Sequence, residues 1–358
     1  MRVIVDCRYV RVGRHDGISR YTVGLVTGLA RLLPVELLVS DERQVAHLPD
    51  LPWHLVSAPT SWREPFVARQ VRRLRPDVVF SPMQTMGTWG RDYGLVLTLH
   101  DLIYYRHRTP PRDLPVTIRA LWRVFHLAWW PQRVLLDRAD HVVTVSRTTQ
   151  ALMARHRLTR RPVTVVPNAA DPVPPTAASS PRERRPGVLV YMGSFMPYKD
   201  VETLARAVAL LPGHVLHLMS RIPPADRERL TALAGAERLV VHDGATDEEY
   251  RRVLREATAL VSASRDEGFG IPLLEAMALG TPVVVSDIPV FREVGGDAGV
   301  YVAAGDAEGF AAALRGLADD APWQRRSTAA RAQADRYGWD ASAEVLAGVL
   351  RRVADARR

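Results

Sequence analysis

Two glutamates bracket the densest chemical signal in the chain, Ser264-Arg265-Asp266-Glu267-Gly268-Phe269-Gly270-Ile271-Pro272, followed by Glu275. The apolar run Ala259–Ser264 before them reads as a buried strand. Gly268 and Gly270 permit a tight turn after it, Pro272 suits a helix start and Gly280 suits that helix's C-terminal cap. Glu267 is therefore expected on the loop leaving the strand's carboxyl end, and Glu275 in the first helical turn. Both carboxylates would face one crevice, beside backbone amides where a helix dipole favours an anion. Carboxylates accept hydrogen bonds from sugar hydroxyls, and amides hold phosphate. The pattern thus suits a polyhydroxylated, phosphate-bearing ligand. Glu275 alone would be explained as well by an acid interacting with its own helix dipole. The pair of glutamates around Gly-Phe-Gly-x-Pro points to a ligand.

A second signal is the only lysine, Lys199, among 48 cationic side chains. An Arg-rich chain that keeps one lysine, between strand run Val188–Gly193 and a helix, is expected to use it. A compact ammonium and a planar guanidinium fork differ at a phosphate. His100 stands at another expected strand end, followed by Asp101. A hydrogen-bonded structural histidine is the plainer reading, and the strand-end position favours function. No His/Asp/Glu group has metal-ligand spacing, so no metal is expected. The single cysteine, Cys7, excludes an internal disulfide framework and a cysteine-rich zinc site.

These residues need strands and helices to place them. Near-continuous apolar runs occur at Val3–Cys7, Val35–Ser40, Trp53–Ala58, Asp77–Ser81, Leu95–His100, His141–Ser146 and Val163–Pro167. They resume at Val188–Gly193, Val215–Ser220, Leu239–His242, Ala259–Ser264, Pro282–Ser286 and Gly299–Ala303. Amphipathic stretches such as Ile18–Leu32, Glu64–Leu74 and Val116–Leu136 lie between them. Two such series predict two α/β domains, each a doubly wound parallel sheet covered on both faces. A Pro-, Ser- and Arg-rich stretch separates them. The expected division is residues 1–172, a linker 173–186, residues 187–338 and a C-terminal helix 339–358 that returns toward the first domain. Open α/β sheets bind ligands at the carboxyl ends of their strands, which places the expected site in an interdomain cleft.

At 358 residues, 47% hydrophobic and 24% charged, the chain has the composition of a globular protein with two or three domains. No apolar run approaches the length of a membrane span, and the N-terminus reads as a strand rather than a signal peptide, so a cytoplasmic location is expected. Residues 1–172 carry a net +11, whereas residues 173–358 carry −2. That asymmetry fits an anionic partner for the first half or an Arg-rich composition alone. Segment Val116–Leu136 puts Ile118, Trp122, Phe125 and Trp129 on one helical face beside Arg119 and Arg123. Such a stripe is core in most proteins. With the basic half, it is also compatible with peripheral contact at the inner face of a membrane.

The ordered set of motifs resembles family 4 of the retaining glycosyltransferases, which have the GT-B fold, and within it mannosyltransferase-B-like polysaccharide enzymes. The matching pieces are Asp16-Gly17-Ile18-Ser19-Arg20-Tyr21, His100-Asp101, Val145-Ser146 and Val166-Pro167-Asn168. They continue with Tyr191-Met192-Gly193 through Lys199-Asp200, His242-Asp243-Gly244 with Asp247-Glu248-Glu249, the Glu267 to Glu275 motif and Gly280-Thr281-Pro282-Val283.

The resemblance implies that Glu267 contacts the transferred sugar and stabilises charge at its anomeric carbon, and that Glu275 accepts ribose hydroxyls. It implies that Lys199 neutralises the donor diphosphate, and that His100 sits near the sugar and the incoming hydroxyl. Gly17 would let the backbone approach phosphate, and Gly268, Phe269, Gly270 and Ile271 would line the donor site. Many members carry an arginine where this chain has Ser194, and Arg221 is the candidate substitute. The implied reaction moves a hexosyl group from a GDP- or UDP-linked sugar, with GDP-mannose favoured, to a hydroxyl acceptor that is a glycan, a lipid-linked molecule or a small molecule. The implied cofactor is none. A sugar-nucleotide epimerase on the same fold is the enzymatic alternative, and pI ≈ 10.1 raises a nucleic-acid-binding protein. For the latter no helix-turn-helix, zinc-finger or aromatic RNA-binding motif is evident, so no nucleic-acid partner is expected.

Overall fold

Runs rich in Val, Ile and Leu pack well on a pleated surface buried on both sides, and the computed structural model forms parallel strands at each of them. It describes residues 1–13, 16–110, 116–172 and 184–357. By its contacts the chain divides into one unit of Met1–Ala169 with Tyr337–Arg358 and a second of Ala170–Arg336.

The first unit holds seven strands: β1 (Val3–Asp6), β2 (Val35–Val39), β3 (Trp53–Leu55), β4 (Val78–Ser81), β5 (Gly94–Leu99), β6 (His141–Thr144) and β7 (Val163–Val165). Their order is β3-β2-β1-β4-β5-β6-β7, all parallel. Every residue of β1, β4, β5 and β6 is buried. The second unit holds six: β8 (Val188–Tyr191), β9 (Val215–Leu218), β10 (Leu239–Val241), β11 (Ala259–Ser262), β12 (Val283–Ser286) and β13 (Val300–Val302). Their order, β10-β9-β8-β11-β12-β13, is also parallel. In each sheet the chain winds outward from the first strand and then crosses to its other side. The switch points lie between β1 and β4 and between β8 and β11. Most strands end earlier than their apolar runs, so residues such as Ala263 and Ser264 leave the ladder to build loops.

The C-terminal helix Trp339–Asp355 belongs to the first unit. It lies on helix Gly17–Ala30, where glycine permits close approach. A Cβ on Gly24 would fall 2.3 Å from the Trp339 ring, and one on Gly28 2.6 Å from the Ala343 Cβ. Ser342 Oγ donates to Pro167 O at 2.8 Å.

Two expectations need correction. Val116–Leu136 is not one helix but two, Val116–Phe125 and Trp130–Asp137. Pro131 enforces the break, since its ring lacks an N–H and clashes with the carbonyl four residues back. Helix Ile271–Ala278 starts at Ile271, so Glu275 lies in its second turn rather than its first. Residues 173–183 of the expected linker lie outside the described residues.

Candidate active site

Lys199 and Glu267 flank the switch point of the second sheet. Lys199 follows β8 on a short 3-10 turn, and Glu267 follows β11. The two side chains form an ion pair, both largely shielded from solvent. Glu267 also accepts from Ser264 Oγ at 2.9 Å. The turn is tied to the β11 loop twice. Arg265 N donates to Tyr198 O at 2.8 Å, and Arg265 Nε and Nη2 donate to Asp200 at 3.0 and 2.8 Å. Asp200 is held in the left-handed region at φ 47. The Lys199 ammonium sits 5.3 Å from the Tyr198 ring centroid. An ammonium has three N–H donors, so a lysine that spends one on Glu267 keeps two for anionic oxygens.

Gly270 caps helix Ile271–Ala278 at φ +95, and a Cβ there would lie 2.9 Å from the Phe291 ring. At the helix's other end Gly280 N donates to Met277 O and Thr281 N to Ala276 O, each at 2.8 Å, the double closure expected of a C-terminal glycine. Phe269 is buried, and Glu275 is half-buried.

The loop carrying Ser194 and the end of β9 complete this side. Ser194 is exposed, and its carbonyl accepts from Tyr191 OH at 2.6 Å. Arg221 is also exposed and packs against Gly244, where a Cβ would meet its Cγ at 2.9 Å. Beneath lies a relay. His242 Nδ1–H donates to Glu249 at 2.7 Å, and its Nε2 lies within hydrogen-bond distance of His217 Nδ1 at 3.0 Å. Burial first, then the neighbouring His242, lower the His217 pKa to about 4.

In the first unit His100 follows β5. Its Nε2 lies 2.7 Å from Pro82 O, which can only accept, so Nε2 carries the proton and Nδ1 keeps its lone pair. Burial, partly opposed by that bond and by Asp16, lowers its pKa. Tyr21 meets the imidazole edge to face at 5.0 Å. Gly17 opens the helix that carries Tyr21, and Asp16 caps it by accepting from Ser19 N at 2.9 Å.

The first sheet's switch point holds charges that sequence reasoning missed. Arg8 is buried, with Nε 2.8 Å and Nη2 3.0 Å from Asp6, and Nη1 2.6 Å from Glu64. Arg8 Nη1 also donates to Ser57 O at 2.9 Å, and Ser81 Oγ to Asp6 at 3.1 Å. Burial dominates at Glu64 and raises its pKa. An acid ending a buried strand with an arginine two residues on was the available signal. Glu64, 56 residues away, had none. Among the described residues, no group of three His, Cys, Asp or Glu is placed to hold a metal, and no helix is long and apolar enough to cross a membrane.

Comparison with known proteins gives two matching family models: Glycosyltransferase Family 4 over residues 15–173 and Glycosyl transferases group 1 over residues 186–320. The chain is 23% identical to the O-antigen chain mannosyltransferase RfbU of Salmonella typhimurium, over 86% of this chain and 89% of that protein. It is 29% identical to the O-antigen chain mannosyltransferase B of Escherichia coli, over 68% and 67%. Sucrose-phosphate synthase from Thermosynechococcus elongatus superposes with a TM-score of 0.74 at 20% identity, covering 99% of both chains. Anabaena HepE in complex with UDP-glucose superposes at 0.72 and 17% identity, covering 98% of this chain and 100% of that one. The fold is that of the GT-B glycosyltransferases, two Rossmann-like domains with a helical C-terminus.

Proposed function

This chain belongs to family 4 of the glycosyltransferases, and from that premise we propose that it moves a hexosyl group, with retention, from a nucleotide diphosphate sugar to a hydroxyl acceptor. Mannose from GDP-mannose is the favoured donor, because two similar proteins are O-antigen mannosyltransferases. The observation that carries the reading is the Lys199–Glu267 pair at the switch point of the second sheet, where open α/β sheets take their ligands.

Lys199 binds the donor diphosphate through its remaining N–H donors and offsets the charge that the leaving nucleotide gains in the transition state. Glu267 accepts a hydroxyl of the transferred sugar and stabilises positive charge at the anomeric carbon. The backbone of Gly268–Ile271 lines the donor, Glu275 takes ribose hydroxyls, and Arg221 supplies the cation that Ser194 lacks. In the first unit His100 Nδ1 accepts the hydrogen bond of the incoming hydroxyl, and Gly17 lets the backbone approach the donor phosphate. No metal or other cofactor takes part. The acceptor is a glycan or lipid-linked glycan, and the basic residues 1–172 hold it or an anionic membrane surface nearby.

A thermal-shift screen with GDP, UDP, GDP-mannose, UDP-glucose and UDP-N-acetylglucosamine tests the reading. A native-state ligand at 100 times its Kd adds ~2.7 kcal/mol of stability. GDP and GDP-mannose should raise Tm more than their uridine counterparts. A larger shift with uridine nucleotides would replace the favoured donor, and no shift with any nucleotide would overturn the donor site.

A further inference from the structure

Two of the most exposed large apolar side chains of the first unit are tryptophans, Trp62 at 77% and Trp89 at 59% exposure. Solvating two indoles is unfavourable, and exposed aromatic groups of this kind mark binding surfaces. They stand on the loops after β3 and β4, at the strands' carboxyl ends, the ligand side of a parallel sheet. Arginines accompany them. The Arg63 guanidinium lies 5.3 Å from the Trp62 ring centroid and that of Arg69 5.2 Å from Phe66. Phe66 meets Trp89 edge to face at 5.4 Å. Both arginines are exposed, and neither makes an ion pair among the described residues.

The supporting loops are fixed in place. Trp89 N donates to Pro65 O at 3.3 Å and Gly87 N to Glu64 at 3.1 Å. Gly87 is pressed so closely on this turn that a Cβ would fall 1.8 Å from Glu64 O. Glu64 is anchored in turn by buried Arg8. The loop that carries Trp89 begins at Pro82, whose carbonyl holds His100. A buried ion network therefore presents indoles and guanidinium groups on preorganised loops, one of which starts at the residue that holds His100.

We propose that Trp62, Trp89, Arg63 and Arg69 form a subsite for an anionic glycan, the acceptor chain upstream of the hydroxyl that is glycosylated. An indole's electron-rich face fits the C–H face of a pyranose ring, and neighbouring guanidinium groups bind carboxylate or phosphate substituents. A rigid aromatic platform loses little conformational entropy on binding. The inference rests on the transferase reading above and supplies the charge and extent of the acceptor.

The test uses the full chain, with indole N–H resonances read by NMR during titration without donor. The probes are trigalacturonic acid, a heparin hexasaccharide, neutral maltotriose and vesicles containing phosphatidylglycerol. At least one acidic glycan should shift the Trp62 and Trp89 signals, assigned with Trp62→Phe and Trp89→Phe, while maltotriose binds more weakly. Trp62→Ala with Trp89→Ala should weaken that glycan about 10-fold, ~1.4 kcal/mol. Arg63→Gln with Arg69→Gln should flatten the salt dependence of its binding, and both double variants should keep wild-type Tm and nucleotide binding. The proposal is overturned if no acidic glycan moves the two indoles, if the Ala variants bind as wild type, or if only vesicles move them, which would make the surface a membrane contact. Failure of the donor reading would show separately, as absent nucleotide binding in the wild-type chain.

Discussion

Lys199 gains its significance from its partner as much as from its rarity. Its ion pair with Glu267 joins two side chains that sequence reasoning had picked for separate reasons, a lone lysine and a glutamate before Gly-Phe-Gly. Lys199→Ala should weaken nucleoside diphosphates by about 1.5–3 kcal/mol relative to the bare nucleosides, the worth of a hydrogen bond to a charged group. Calorimetric titration of GDP and guanosine checks this, and equal losses would show that the lysine does not read phosphate. Lys199→Arg should recover only part of the affinity, because a planar fork cannot keep the Glu267 contact and the same phosphate geometry. His100 gives a different signature. Burial holds its pKa below 6.5, so Nδ1 stays an acceptor at neutral pH. The acid limb of kcat/KM assigned to it, by its loss in His100→Gln, should lie below 6.5. A limb at or above that value would contradict a neutral, part-buried imidazole. The Arg8 network was only partly legible: Asp6 stands two residues away, whereas Ser57, Ser81 and Glu64 join it only once the first sheet is folded.

At the scale of elements, thirteen apolar runs were legible as strands because a parallel sheet buried on both faces demands unbroken hydrophobicity. Helix bounds were less legible. The break before Pro131 and the second-turn position of Glu275 each depend on where a helix starts, which the apolar period does not fix. Gly270 is a turn residue, as its place after the β11 run indicates, and the structure adds the reason, φ +95 with Phe291 packed against it. Gly270→Ala should destabilise by more than ~1 kcal/mol, since the left-handed backbone and the Phe291 ring both oppose a methyl group. Denaturant midpoints check it, and an unchanged midpoint would show that the loop can rearrange. The His217–His242–Glu249 relay makes a prediction about pH. His217 has a folded pKa of about 4 against an ordinary 6.5. As pH falls through 6.5 the unfolded chain takes up a proton that the native state refuses, so stability declines down to about pH 4. His217→Gln should reduce the fall in Tm between pH 7 and pH 5. A fall as steep as that of wild type would mean that other groups carry it.

Across the whole molecule, the two units repeat one winding order and use it differently. In the first sheet the switch point is filled by the buried Arg8 network, which braces loops. In the second it carries the Lys199–Glu267 pair, partly open to solvent and suited to a ligand. Strand periodicity made the repeat legible; only the folded chain shows which switch point is spent on structure. The central claim is that Glu267 acts chiefly in the transition state, on charge at the anomeric carbon, and little in holding the donor. The most direct measurement follows nucleotide release from the donor with the full chain, wild type beside Glu267→Gln, together with donor Kd for each. The predicted result is a kcat lower by ~100-fold or more, the size expected for losing one preorganised electrostatic group, with donor Kd changed only a few-fold. Near-normal kcat with a much weaker Kd would contradict it and leave Glu267 a binding residue alone.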